Sequence, residues 1–443
     1  MTDLEIKIRE QFESHRILGQ EVVVALSGGV DSVVLLDVIS RLSEPLNLQV
    51  SAAHVNHHLH VDSFNWVRFC ANLCAAHQIT LKVFDVQILR DSRLGVEGAA
   101  REARYMALRS HSAPTIVLAH HQDDQIETFF LQALRGSGVD GLSGMAAIRD
   151  DFDSCKGIFR PMLGVGRQEI MGYARERGLN WIEDPSNNDQ RFSRNYLRNQ
   201  MLPELRARFP AFDKSILNVV QNLTEARDLI AELTTRDVDT LTDSCGGLHI
   251  DRLSQLSQPR AINVFRELFR RIGSIAPGRP WMIEALRQCI DAKESANVSV
   301  DTKDVSIKRY RNHCYVLNNA SSTSEGWSKV WQGESVIDLP FGLGCLKFKE
   351  SIGEGVSIEF LDSTDLTIAL GPGNKRFSLG RDRPRRMLRK IWQSYGIPPW
   401  VRQKTPVAFS ADEALFVGNI GVSSHYAAQQ DQPSIIIEWC VNS

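Results

Sequence analysis

Residues Ser27-Gly28-Gly29-Val30-Asp31-Ser32 stand between the apolar run Val22-Val23-Val24-Ala25-Leu26 and the apolar-periodic stretch Val33-Val34-Leu35-Leu36-Asp37-Val38-Ile39. The order reads as strand, glycine-bearing turn, helix. Two glycines let the backbone approach an anion with no Cβ in the way. Ser27 and Ser32 add hydroxyls, and Asp31 adds a carboxylate suited to Mg²⁺ or to orienting a donor. The helix that follows aims free N–H groups and the positive end of its dipole at the turn. Such a turn is a pyrophosphate cradle. It is not a Walker loop, because no Lys follows the second glycine and the spacing is too short.

Outward from that turn, strand-like and helix-like segments alternate. Strands are expected at 21–26, 48–55, 80–86 and 115–120, with a weaker fifth at 157–160. Helices are expected at 32–42, 63–77, 98–110 and 124–134. The alternation predicts an α/β domain with a doubly wound parallel sheet. Ligands of such sheets sit beyond the carboxyl ends of the strands, near the switch in strand order. The second strand ends in Ala53-His54-Val55-Asn56-His57-His58, and the fourth in Ala119-His120-His121-Gln122-Asp123-Asp124-Gln125-Ile126-Glu127-Thr128. Asp124 and Glu127 share one face at the start of a helix, where acids commonly just satisfy the dipole. Three acids in this short stretch exceed that need, and the pair suits Mg²⁺ or a cationic amine. Zinc is disfavoured, since adjacent histidines project to opposite sides of a strand.

Further on, a helix is expected at 167–178, followed by the polar segment 181–189. Then comes Arg191-Phe192-Ser193-Arg194-Asn195-Tyr196-Leu197-Arg198. Its arginines suit phosphates and its aromatics suit base stacking; a solvated helix face with aromatics inward is the alternative. One long helix is expected at 213–236 and a smaller α+β unit at 246–317, with helices at 259–272 and 279–292. Ala320-Ser321-Ser322-Thr323-Ser324-Glu325-Gly326 reads as a linker. The expected domains are therefore 1–212 (catalytic), 213–319 (linker helix and small α+β domain) and 327–443. Between Gly371 and Lys404 the last holds Lys375, Arg376, Arg381, Arg383, Arg385, Arg386, Arg389, Lys390, Arg402 and Lys404 against one acid, Asp382. Trp392, Tyr395 and Trp400 are interleaved, and 384–395 reads as a helix. That is a footprint for a polyanion, against the plainer reading of a solvated basic face.

The whole chain is otherwise ordinary: 443 residues, net charge −2, 43% hydrophobic. No apolar run approaches the roughly 18 residues that span a bilayer, and the first residues lack a secretory pattern. A cytoplasmic location is expected, with no membrane partner. The eight cysteines (Cys70, Cys74, Cys155, Cys245, Cys289, Cys314, Cys345, Cys440) include no CxxC pair, so buried reduced thiols are expected rather than disulfides or a metal site.

The SGGVDS string resembles the PP-loop of ATP pyrophosphatases, which cleave ATP to AMP and pyrophosphate to activate a substrate oxygen. Nearly end to end, the chain resembles the long bacterial form of the tRNA(Ile)-lysidine synthetase family. The resemblance rests on SGGVDS at 27–32, HVNHHL at 54–59, EGAAREARYMAL at 97–108, AHHQDDQIETFFLQALRGSG at 119–138 and EDPSNNDQRFSRNYLR at 183–198. Segments 386–392 and 396–402 extend it. It implies an ATP-dependent carbon–nitrogen ligase acting on the wobble cytidine of a CAU-anticodon isoleucine tRNA. ATP adenylates O2 of that base, and the ε-amino group of free lysine then attacks C2, with AMP leaving. Under this reading Ser27, Gly28, Gly29, Val30, Asp31 and Ser32 hold the pyrophosphate, with Asp31 near Mg²⁺. Ala25, Leu26, Ala53 and His54 flank the adenosine, and Asp124 and Glu127 take the lysine ammonium. Arg104 and Arg194 neutralise the intermediate. Arg191, Arg198, Arg385, Arg386, Arg389, Lys390, Trp392 and Arg402 bind tRNA. Monomer and homodimer both stay open. Two other readings remain: a PP-loop tRNA thiolase, which commonly needs paired cysteines or an iron–sulfur cluster, and a non-enzymatic nucleotide- or tRNA-binding module.

Overall fold

Val22, Val23 and Val24 are wholly buried, because a central parallel strand is covered on both faces. They lie in β1 (Glu21–Ala25), which α1 (Asp3–Ser14) precedes and α2 (Val30–Leu42) follows. The chain continues through β2 (Gln49–Asn56), α3 (Ser63–Ala76), β3 (Thr80–Asp85), α4 (Gly95–Arg109), β4 (Thr115–Val117) and α5 (Gln122–Leu134). Then come α6 (Val139–Leu142), the hairpin β5 (Ile148–Asp151) and β6 (Lys156–Phe159), and α7 (Arg167–Glu176). This computed structural model describes residues 1–58, 60–87, 95–151, 156–243, 246–293, 298–319, 326–380 and 384–441. Leu59, Cys155, Cys245, residues 320–325 of the expected linker, and Arg381, Asp382 and Arg383 of the basic run lie outside them. The chain divides into two units, Met1–Leu233 and Thr234–Ser443.

In the first unit the strand order is β3-β2-β1-β4-β6-β5. All neighbours are parallel except the β5–β6 hairpin. After β1 the chain builds β2 and β3 on one side, then crosses to lay β4 on the other. The switch point therefore falls between β1 and β4, whose register sets Val24 opposite Val117. Alternate residues of β1 feed different cores. Val22 and Val24 join Ile8, Phe12, Leu35, Ile39 and Ile170 on the face covered by α1, α2 and α7. Val23 joins Leu108, Ile116 and Ile158 on the face covered by α4. β4 is shorter than the sequence predicts, and His120 and His121 lie beyond it. His121 instead caps α5, its Nδ1 accepting the Asp123 N–H at 3.3 Å.

Two short helical segments follow, α8 (Ser193–Tyr196) and α9 (Leu202–Arg208), separated by one π-helical turn at Leu197–Met201. α10 (Phe212–Leu241) contributes residues to both units. In the second unit, helices Gln258–Arg271 and Arg279–Asp291 accompany a four-stranded antiparallel sheet, close to expectation. The helix expected at 384–395 forms only over Leu388–Ser394. Its first part is spent on a ladder: Arg386–Met387 pairs antiparallel with Arg376–Phe377. Among the described residues no helix is long and apolar enough to cross a membrane.

Candidate active site

The glycine turn is built around Ser32. Its Oγ accepts N–H groups from Ser27 and Gly28, both at 3.2 Å, and donates to the Gly29 carbonyl at 2.9 Å. This ties the turn to the first helical turn of α2, whose N-cap, Gly29, has no side chain to occupy the free N–H groups. Gly28 sits at φ +90°, and a Cβ there would come within 2.5 Å of Ile182 Cδ1. Gly28→Ala is expected to cost about 1–2 kcal/mol from the left-handed backbone alone, and to weaken ATP binding by pushing the 181–189 segment away. Gly29 has ordinary φ, with only Ser27 Oγ at 3.6 Å, so Gly29→Ala should leave the thermal midpoint nearly unchanged. Thermal denaturation with and without ATP reads both.

Across the switch point, the ends of β1 and β4 meet through His121. The ring is buried, and the cap bond to Nδ1 places its proton on Nε2. That nitrogen is 3.6 Å from Asp31 Oδ2 and 3.6 Å from Asp124 Oδ2. The gap is too long for a hydrogen bond, and Nε2 has no hydrogen-bond partner. Burial works to lower the His121 pKa, but the carboxylates of Asp31, Asp124 and Asp123 outweigh it and raise the value. Asp31 keeps 30% of its side chain exposed and meets Arg167 Nη1, from the start of α7, at 3.5 Å. Both partners are loose, so its carboxylate stays available. A single carboxylate beside phosphate oxygens is the donor set Mg²⁺ commonly takes.

Asp124 and Glu127 do share a face, and it is occupied. Arg194 donates from Nη2 to Asp124 Oδ1 and from Nε to Glu127 Oε2, each at 2.6 Å. Arg198 donates from Nε to Glu127 Oε1 at 2.6 Å and from Nη2 to Oε2 at 3.0 Å. Arg194 and Arg198 are four apart in a helical stretch and so project to one side. Glu127 is fully buried. Burial would raise the Asp124 pKa, but His121, Arg194 and His120 together hold it below the usual carboxylate range. Sequence reading placed Arg198 on tRNA and missed Arg167, which opens α7, and the pairing role of His121, to which its place beyond the fourth strand was the one available signal.

Of the residues expected around adenosine, Ala25 is half-buried at the end of β1. Leu26, Ala53 and His54 are buried, and the Leu26 N–H bonds the Ala53 carbonyl at 2.9 Å. His54 Nδ1 donates to the Leu26 carbonyl at 2.8 Å. Burial lowers the His54 pKa, and Arg104, exposed on α4, adds to that lowering. Burial and that cation push His57 down to about 4, so it is neutral at pH 7.

In the second unit the candidates separate. Arg385, Arg386, Arg389 and Lys390 are exposed, with Arg385 paired to Glu413 at 2.8 Å. Trp392 is 1% exposed and belongs to the core with Phe377, Leu388 and Ile391. It offers no stacking surface, because the apolar periodicity of Leu388–Ser394 turns it inward. Arg402 is half-buried and spent on the Ile397 carbonyl and Tyr310 Oη. Arg191, in the first unit, is 88% exposed and paired with Asp189.

A glycine cradle after β1, facing an acid pair after β4, defines a PP-loop protein. A family described as a PP-loop domain matches residues 1–205. The TilS substrate binding domain family matches 248–315 and the TilS substrate C-terminal domain family 366–439. The tRNA(Ile)-lysidine synthase of Nitrosomonas europaea is 36% identical over 423 residues, 95% of this chain and 92% of that one. The enzyme of the same name from Azoarcus sp. strain BH72 is 35% identical, covering 94% and 90%. That from Aromatoleum aromaticum is 34% identical, covering 95% and 97%. The chain belongs to the tRNA(Ile)-lysidine synthase family.

Proposed function

We propose that the chain joins the ε-amino group of lysine to C2 of the wobble cytidine in a CAU-anticodon isoleucine tRNA, consuming ATP through an adenylated tRNA. One observation carries this: His121 stands 3.6 Å from both Asp31 and Asp124, so a phosphate seat and an acid pair suited to an amine share one crevice. The 27–32 turn holds the pyrophosphate portion of ATP, while O2 of the cytosine attacks the α-phosphorus and pyrophosphate leaves. The lysine ammonium gives up one proton to solvent, the freed amine attacks C2, and the C2–O2 bond breaks so that AMP departs carrying O2. Mg²⁺ held by Asp31 with the phosphates would neutralise their charge.

The arginine pair imposes an order. Two guanidinium groups already balance Asp124 and Glu127, so a lysine ammonium would be a third cation against two carboxylates. An adenylate phosphate in the crevice gives Arg194 a competing anion and frees a carboxylate face. Lysine is therefore expected to bind free enzyme weakly and adenylated enzyme more tightly, by about tenfold or more for each 1.4 kcal/mol of repulsion relieved.

The thiolase reading has less support. Cys70, near the glycine turn, and Cys74 are buried, and burial pushes them up to about 12 and about 11; neither is a thiolate at neutral pH. Pyrophosphate exchange into ATP that depends on the tRNA transcript, followed by incorporation of labelled lysine, tests the assignment. Exchange without lysine incorporation would overturn it.

The exposed cations of the second unit are assigned to tRNA phosphates. Reversing Arg385, Arg386 and Arg389 to Glu should weaken tRNA binding and shallow the slope of log K against log salt, by about 0.9 for each phosphate no longer neutralised. ATP binding should not change. Filter binding across a salt series reads both, and unchanged affinity and slope would make these residues a solvated face only.

A further inference from the structure

On the α4 face of the sheet, away from the glycine turn, lies a cavity of about 400 Å³ between α4 and the β5–β6 hairpin. Arg101, Arg109, Arg149 and Arg160 line it, with Tyr105 and one acid, Glu102. Arg160 is 4% exposed and locked in place, donating from Nη1 to the Ala146 carbonyl at 2.8 Å and from Nε to His120 Nδ1 at 3.2 Å. Arg101 stacks its guanidinium over the Tyr105 ring at 5.2 Å. Among the described residues, none of Arg101, Arg149 and Arg160 has a carboxylate within 4.0 Å. Burial acts against the Arg160 cation, the Tyr105 hydroxyl favours it in part, and the charges of Arg149 and Arg101 oppose it again, so that its pKa falls. A fold that crowds guanidinium groups without matching acids is completed by an anion.

We propose that this cavity is a phosphate-binding pocket that seats a backbone phosphate of the RNA substrate beside the reacting nucleotide. Guanidinium forks match phosphate oxygens in pairs. The cavity adjoins the crevice, because Arg160 holds His120, the residue before His121, and Arg101 and Arg194 both act on His120. It is also distinct from the pyrophosphate seat. β6 lies two strands from β1, about 10 Å at ordinary strand spacing, and α2, which caps the pyrophosphate, packs on the opposite face. ATP phosphates already have their cradle, so the anion here comes from the second polyanionic substrate.

The inference rests on the proposed RNA substrate, and its test separates the two. Arg101 and Arg149 are exposed, so Arg101→Ala with Arg149→Ala leaves the packed Arg160 untouched and should fold. With the full-length chain and an unmodified tRNA(Ile) transcript, the double variant should lose about tenfold or more in affinity. Its salt slope should fall by about 0.7 for each single-stranded phosphate left without its arginine. ATP affinity without RNA, and inhibition by inorganic pyrophosphate, should match wild type. Arg101→Lys with Arg149→Lys should recover part of the affinity, because charge returns without the fork. Unchanged RNA affinity and slope would overturn the pocket. Altered ATP affinity or pyrophosphate inhibition would overturn its assignment to RNA and give it to the nucleotide. If wild type itself fails to modify the transcript, the proposed function fails, whatever the variants do.

Discussion

Asp31→Ala is expected to lower tRNA-dependent pyrophosphate exchange by about 10²–10³-fold or more, the usual loss when a preorganised electrostatic group is removed. The turn around Asp31 is otherwise neutral: Ser27, Gly28, Gly29 and Ser32 offer N–H groups and hydroxyls but no charge. Among the described residues the cation in contact with that carboxylate is Arg167 at 3.5 Å, with the His121 ring on its other oxygen at 3.6 Å and Arg198 acting on it from further away. Neither contact is tight enough to make Asp31 a structural strut. Losing an acid from the first turn of α2 should cost only about 0.3–1 kcal/mol of helix-dipole stabilisation. The thermal midpoint should thus move by a few degrees at most, and tRNA affinity should stay within a few-fold. Asp31→Asn, which keeps the shape, should be as inactive as the alanine variant. Exchange at the wild-type rate in either variant would remove Asp31 from the adenylation step.

How much of this was legible in the sequence depends on the range of each signal. The β1–turn–α2 unit is local, so Val22–Leu26, the glycines and Val33–Ile39 declare it by period alone. The alternation of strands and helices likewise declares the sheet, including the weak fifth strand, which forms as β6. The sharing of a face by Asp124 and Glu127 is also local. The partners of that face are not. Arg194 and Arg198 lie 70 and 71 residues from Asp124 and Glu127 in the tightest contacts, and no periodicity reports on such a distance. Arg191, Arg194 and Arg198 look alike in the sequence, yet one is exposed and two face buried acids. Trp392 misled for the same reason in reverse. Basic neighbours suggested a stacking surface, but a seven-residue helix has only one inward face, and Trp392 shares it with Leu388 and Ile391. The arginine pocket over β6 leaves no mark in the sequence, because α4 and the β5–β6 hairpin meet only in three dimensions.

Glu127→Gln is expected to block lysine transfer more than ATP use. Glu127 is fully buried, and both its oxygens are engaged, by Arg194 Nε at 2.6 Å and by Arg198 Nε and Nη2 at 2.6 and 3.0 Å. A glutamine keeps the shape but turns one acceptor into a donor, which must face a guanidinium donor. Two cations are then left with Asp124 as their one carboxylate. Breaking a fully buried pair costs about 3–5 kcal/mol, but Arg198 keeps 36% of its side chain exposed, so water recovers part of that. The folded protein should survive with a thermal midpoint lowered by several degrees. The chemistry should suffer more, because the ammonium seat has lost half its charge while Arg194 still competes for the remainder. The lysine KM should therefore rise by about tenfold or more, at 1.4 kcal/mol per decade, with transfer slowed further. Adenylated tRNA should accumulate, since the glycine turn and Asp31 are untouched. Rapid-quench separation of adenylated from lysine-bearing tRNA measures both steps in one experiment. If pyrophosphate exchange and lysine transfer fall together, Glu127 supports the whole crevice rather than the amine. If lysine dependence is unchanged and no intermediate builds up, the ammonium binds elsewhere.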